Sequence, residues 1–69
     1  MPSTTLSEKK LREIVVGDWV QVTPNPNSQQ FLVVERNGRI VGLAYYVGKR
    51  LTRTQYFDHT IIKRKVKSV

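Results

Sequence analysis

Two alternating apolar runs, residues 31–36 and 39–47, are separated by nothing but Asn37-Gly38. An Asn-Gly pair between such runs is the strongest short-range hairpin signal. Both residues accept the positive φ of a type I′ turn, whose twist matches the flanking strands. That turn predicts a register in which Arg36 faces Arg39, Val34 faces Val41 and Leu32 faces Leu43. One face then reads Leu32, Val34, Val41, Leu43, Tyr45 and Val47, and is the expected core face. The other carries Phe31, Val33, Glu35, Ile40, Gly42, Ala44 and Tyr46. It too is largely apolar, so the hairpin is expected to be central and partly covered on both sides. Gly42 in mid-strand predicts a bend or a close backbone approach.

The flanking segments extend this β pattern. Ten valines stand against one alanine, and valine suits a pleated sheet better than a helix. Residues 19–23 alternate, with Val20 and Val22 on one face and Trp19, Gln21 and Thr23 on the other. Pro24-Asn25-Pro26-Asn27-Ser28 predicts a loop. Gly48-Lys49 predicts a second tight turn, of type II′, with residues 51–57 returning as a strand. A two-residue turn sets Val47 against Arg50 and puts Thr52, Thr54 and Tyr56 on the core face. A three-residue turn sets Val47 against Leu51 and puts Leu51 and Phe57 there, which buries more apolar surface. Asp58-His59-Thr60 predicts one 3₁₀ turn, and residues 61–66 a last strand. Residues 1–10 read as a mobile lead-in to a single domain over 11–67. Ser7 is placed to cap a helical turn reaching Glu13, with Leu11 and Ile14 on its docking face.

The expected class is therefore all-β, with five short strands and a short N-terminal helical turn. The segment Val16-Gly17-Asp18-Trp19-Val20-Gln21-Val22 resembles the "V-G-D-x-V-x-V" opening of SH3-like barrels, especially those of KOW type. The Asn37-Gly38 hairpin and the Ile61-Ile62 strand after a short connector agree with that layout. Pro24-Asn25-Pro26-Asn27 stands where KOW domains continue with a Gly-rich stretch. The resemblance implies a five-stranded small barrel and a translation-related or RNA-binding role. In such a barrel Tyr45 and Phe57 are expected in the core, and Trp19 over the open end.

At 69 residues the chain is too short for a cleft between domains. Its small core would be marginal without added burial from a partner or a second copy. Cysteine is absent, so no disulfide or thiolate site forms, which suits a reducing compartment. No apolar run approaches the ~18 residues of a membrane span. A cytoplasmic protein with no cofactor and no metal is expected. The single histidine, His59, adjoins Asp58, but neighbouring strand residues point to opposite faces. The pair makes a poor catalytic dyad and reads as a polar connector. No enzyme activity is expected.

Charge is the informative feature. Twelve Lys and Arg against five Asp and Glu give a formal charge of +7. Residues 1–23 are balanced, residues 24–60 carry +3, and residues 61–69 carry +4. An anionic partner would relieve this crowding. The leading expectation is nucleic-acid binding, RNA or DNA, with Arg36, Arg39, Lys49, Arg50, Arg53, Lys63, Arg64, Lys65 and Lys67 on phosphates. Tyr46 and Tyr56 are the base-stacking candidates. The rival is an adaptor or regulatory subunit docking on an acidic protein, with Phe31, Val33 and Ile40 as hydrophobic anchor. A solubilising surface and a homo-oligomer burying the second apolar face are the other readings.

Overall fold

A computed structural model describes residues 7–68. Helix α1 spans Glu8–Arg12. The Ser7 hydroxyl accepts from the Lys10 N–H at 3.3 Å, as an N-cap should. So short a helix is held by docking rather than propensity: Leu11 and Ile14 are both buried. Of the lead-in expected over residues 1–10, residues 1–6 lie outside the described residues, and Glu8–Lys10 are helical.

The remaining elements are extended. They are β1 (Trp19–Gln21), β2 (Phe31–Asn37), β3 (Ile40–Ala44), β4 (Tyr46–Val47), β5 (Arg50–Leu51), β6 (Gln55–Asp58) and β7 (Arg64–Lys67). A 3₁₀ turn at His59–Ile61 joins β6 to β7, as the connector predicted. An antiparallel sheet has the order β6-β3-β2-β1-β7, and β4-β5 form a separate ribbon. The chain is thus mostly β. The five-stranded sheet is open: among the described residues, β6 and β7 are not paired with each other. No helix among these residues is long and apolar enough to cross a membrane.

The central hairpin differs from its expected register. Asn37 pairs with Ile40, Arg36 with Val41 and Glu35 with Gly42, after which Val33 pairs with Leu43. The two-residue turn is therefore Gly38-Arg39. Only Gly38 has positive φ there, at +58°, the pattern of a type II′ turn. Arg36 and Arg39 do not oppose each other. The skipped residue, Val34, is a β-bulge, and a bulge moves every residue beyond it to the other face. Val33 consequently joins Val41 and Leu43 in the core, not Val34 or Leu32.

Cross-strand rows define the two faces. Val20–Phe31, Val33–Leu43 and Val41–Phe57 line the core side. Leu11, Ile14 and Ile62 complete the core. The outer side carries Lys67–Trp19–Leu32–Ala44 and Glu35–Gly42–Tyr56. Gln21, expected outward, is buried because its amide donates to the carbonyls of Pro26 (2.9 Å) and Ser28 (2.8 Å). It thereby pins the proline loop to β1. The second hairpin takes the two-residue turn, with Val47 against Arg50. The return strand is broken, and residues 52–54 leave the ladder before β6. Leu51 and Tyr56 stay exposed while Phe57 packs on the core.

Gly42 shows the predicted close approach. A Cβ there would lie 2.8 Å from Thr54 Cγ2 and 3.0 Å from Glu35 Cβ.

Candidate functional site

The basic residues divide into two groups with different surroundings. The first surrounds the Gly38 turn. Arg36 Nε donates to Gly38 O at 2.7 Å. Its Nη1 donates to Leu11 O (3.0 Å) and Ile14 O (3.2 Å). Its Nη2 lies 2.8 Å from His59 Nδ1. A guanidinium only donates, so Nδ1 accepts and the ring proton sits on Nε2. Nε2 is 3.3 Å from Glu8 Oε1 but off the line of a hydrogen bond, so that contact is electrostatic. His59 is 1% exposed, which replaces the polar connector expected from sequence. Arg36 is a clamp between the helix end, its own turn and the 3₁₀ turn. Its donors point into the protein rather than at phosphates.

Arg39 is more exposed but is held by two carboxylates, Glu8 at 3.5 Å and Asp58 at 3.4 Å. Asp58 is held down to about 2, first by the N–H of Thr60 and then by Arg39. Tyr56 has an exposed ring whose hydroxyl donates to Glu35 at 2.8 Å. That bond raises the phenol above its ordinary value and ties Tyr56 to the acidic part of the outer face. The expected hydrophobic anchor does not assemble. Val33 is fully buried, Phe31 is half-buried against the core, and only Ile40 is exposed. The bulge at Val34 is the reason.

The second group lies along β7 and reaches the β4-β5 ribbon. Lys10 of α1 and Glu13, its C-cap, face Lys65, Val66, Lys67 and Ser68 across a groove of about 400 Å³. Lys65 Nζ lies 3.4 Å from Asp18 Oδ2. Asp18 is buried, and burial opposes its ionisation. The Val15 N–H, the Ser68 hydroxyl and Lys65 outweigh that, so its carboxyl titrates below the ordinary range. Lys67 Nζ stands 5.8 Å from the centre of the Trp19 ring, within cation–π range. Trp19 in turn lies 6.1 Å from Tyr46, tilted by 30°. Tyr46 is half exposed and starts the ribbon whose tip carries Lys49 and Arg50.

The groove residues Lys10, Lys65 and Lys67 thus connect, through the Lys67–Trp19 and Trp19–Tyr46 contacts, to the ribbon that carries Lys49 and Arg50. Among the described residues, no carboxylate pairs with Lys49, Arg50, Arg53, Lys63, Arg64 or Lys67. Lys63 instead donates to Thr60 O at 3.4 Å. Of the two stacking candidates, Tyr46 belongs to this strip and Tyr56 does not. Sequence reasoning missed Lys10 and the role of Trp19. The signal for Trp19 was its alternation away from Val20, but Lys10 reaches β7 only through helix docking. No cluster of three or more His, Asp or Glu that could hold a metal occurs among the described residues. Comparison with protein-family models, curated proteins and solved structures gave no match.

Proposed function

We propose that this chain is a non-enzymatic binding module that takes nucleic acid along the strip from Lys10 to Arg50. The Lys67–Trp19–Tyr46 contact carries the reading, because it puts a cation and two accessible rings side by side. Lysines neutralise phosphates and release counterions, while rings stack unpaired bases. An SH3-like small barrel of KOW type is the family reading. The Val16–Val22 segment, the antiparallel strand order and the 3₁₀ turn before β7 support it.

The test is binding of labelled single-stranded oligonucleotides by anisotropy over a salt series. Three to five phosphate contacts predict a log-log slope of about −2 to −3.5, at ~0.7 per contact. Tyr46→Ala and Lys67→Ala lie at exposed positions and should weaken binding about 5- to 50-fold without unfolding the chain. No binding of RNA or DNA at ~50 mM salt refutes the reading.

One observation favours a second reading. The outer edge of β7 is unpaired and lysine-rich, so an extended acidic peptide could add to it as a strand. That reading predicts a defined complex with a polyglutamate-rich peptide, and none with oligonucleotides.

A further inference from the structure

The core side of the sheet ends in a second, smaller cavity of about 120 Å³. Its lining shares no residue with the strip. Leu43 forms its floor, and the rings of Phe31, Tyr45 and Phe57 form its walls. Phe31 and Tyr45 meet edge to face, 5.5 Å apart at 87°. The polar groups at its rim are Thr52, Arg53 and Gln55. The Thr52 oxygen already accepts from the Tyr45 N–H at 3.1 Å, which fixes the rim where β3 gives way to β4. Gln55 and Arg53 are exposed and have no hydrogen-bonded or ionic partner among the described residues.

Size and charge select the ligand. The cavity is small and open at its rim, so it takes one planar ring and leaves whatever carries the ring outside. Aromatic walls recommend a flat π-system or a cation. The lining holds no carboxylate and one arginine, and this weighs against a cation. A neutral ring with polar edges remains. The Gln55 amide offers a donor and an acceptor together, and Arg53 offers further donors. That combination matches the edge of a nucleobase presented outside a duplex.

We infer that this cavity receives a single unpaired pyrimidine base, held against the rings of Phe31, Tyr45 and Phe57 and read at its edge by Gln55 and Arg53. The inference rests on the nucleic-acid reading and narrows it to single strands with a pyrimidine preference. Tyr45 and Tyr46 are consecutive and face opposite sides. The cavity and the strip therefore adjoin through the backbone between them.

Two measurements on the full chain separate this inference from the reading beneath it. In the first, uridine (uncharged, so without the strip's phosphate contacts) is titrated while side-chain resonances are followed by NMR. The Gln55 amide and the Tyr45 and Phe57 rings should shift, and adenosine should leave them in place. In the second, oligo(dT) is compared with oligo(dA) by anisotropy. The parent should prefer oligo(dT) by about 10-fold, and Gln55→Ala should reduce that preference to about 2-fold or less with the salt slope unchanged. Gln55 is exposed, so this variant keeps its fold. If oligonucleotides bind with the expected slope but uridine shifts nothing and Gln55→Ala keeps the preference, the cavity inference is overturned alone. If uridine shifts the cavity resonances but no oligonucleotide binds, the strip reading falls and the base site stands.

Discussion

Replacing Arg36 by methionine keeps the length of the apolar stem and removes every donor. Two acceptors beyond its own turn lose their partner, Ile14 O and His59 Nδ1, while Leu11 O keeps the Ile14 N–H at 3.3 Å. His59 is buried, so its orphaned nitrogen costs about 1–3 kcal/mol. The Ile14 carbonyl is part-buried and recovers some water, so about 0.5–1 kcal/mol is the fair figure. The sum is about 1.5–4 kcal/mol. A chain of this length has a total stability of about 3–10 kcal/mol, so the loss is a large fraction of it. At ~4–8 °C per kcal/mol the melting temperature falls by roughly 6–30 °C. Circular dichroism melts measure this, and amide exchange at Ile14 and Ile62 locates it. Arg36→Lys should recover little, because one ammonium cannot span the helix end and the 3₁₀ turn at once. If Arg36→Met melts within ~2 °C of the parent but binds oligonucleotides about 10-fold more weakly, Arg36 is a phosphate contact and the clamp is wrong.

Two further perturbations probe the scaffold. Gly42→Ala drives a methyl into Thr54 Cγ2 and Glu35 Cβ. Overpacking at ~1–3 kcal/mol, offset by ~0.4–1 kcal/mol from the unfolded chain, leaves a net loss of about 1–2 kcal/mol. Thr54→Ser deletes the nearer obstacle, so a double-mutant cycle should show positive coupling, and strict additivity would contradict the close approach. Acid should also destabilise the chain. Asp18 and Asp58 titrate below their ordinary values in the fold, so their stabilisation is present above about pH 4 and disappears as pH falls towards 2. Urea midpoints should drop over that window and drop less in Asp18→Asn; a parent midpoint flat from pH 5 to about 2 would be inconsistent with both carboxylates.

What the sequence made legible was local. Ser7 as a cap, Gly38 and Gly48 as turns, the 3₁₀ connector and the crowding at Gly42 each depend on a few neighbouring residues. The two turn registers were missed locally, at Gly38-Arg39 and Gly48-Lys49, and the other failures came from longer range. The bulge at Val34 changes which valine is core, yet nothing beside Val34 announces it. It is settled by Arg36 wrapping its own turn and reaching His59, 23 residues away. The same contact removes Arg36 from the list of phosphate ligands. The basic run at 63–67 looked uniform in sequence. In the sheet Lys65 answers a buried Asp18, Lys67 covers Trp19, and Lys63 bends back to Thr60.

The placement of the acidic residues bears most directly on binding. Each of the five carboxylates has a partner in the fold: Glu8 and Asp58 hold Arg39, Glu13 meets Lys10, Asp18 meets Lys65, and Glu35 accepts from Tyr56. Two of them neutralise the Gly38 end, Glu13 and Asp18 pair with Lys10 and Lys65 at the start of the strip, and none pairs with Lys67 or the ribbon tip. Position, rather than net charge, should then govern affinity, and two charge reversals test this. Lys67→Glu and Arg12→Glu change the formal charge equally, and both residues are exposed. Arg12 lies two residues from Lys10, about 200° round the helix, and so points away from the groove. Lys67→Glu should weaken oligonucleotide binding about 10-fold or more, and Arg12→Glu by about 2-fold, with screening removing the smaller effect first as salt rises. Equal losses from the two variants would mean that the chain attracts nucleic acid through bulk charge, and that the Trp19–Lys67 strip has no special part in it.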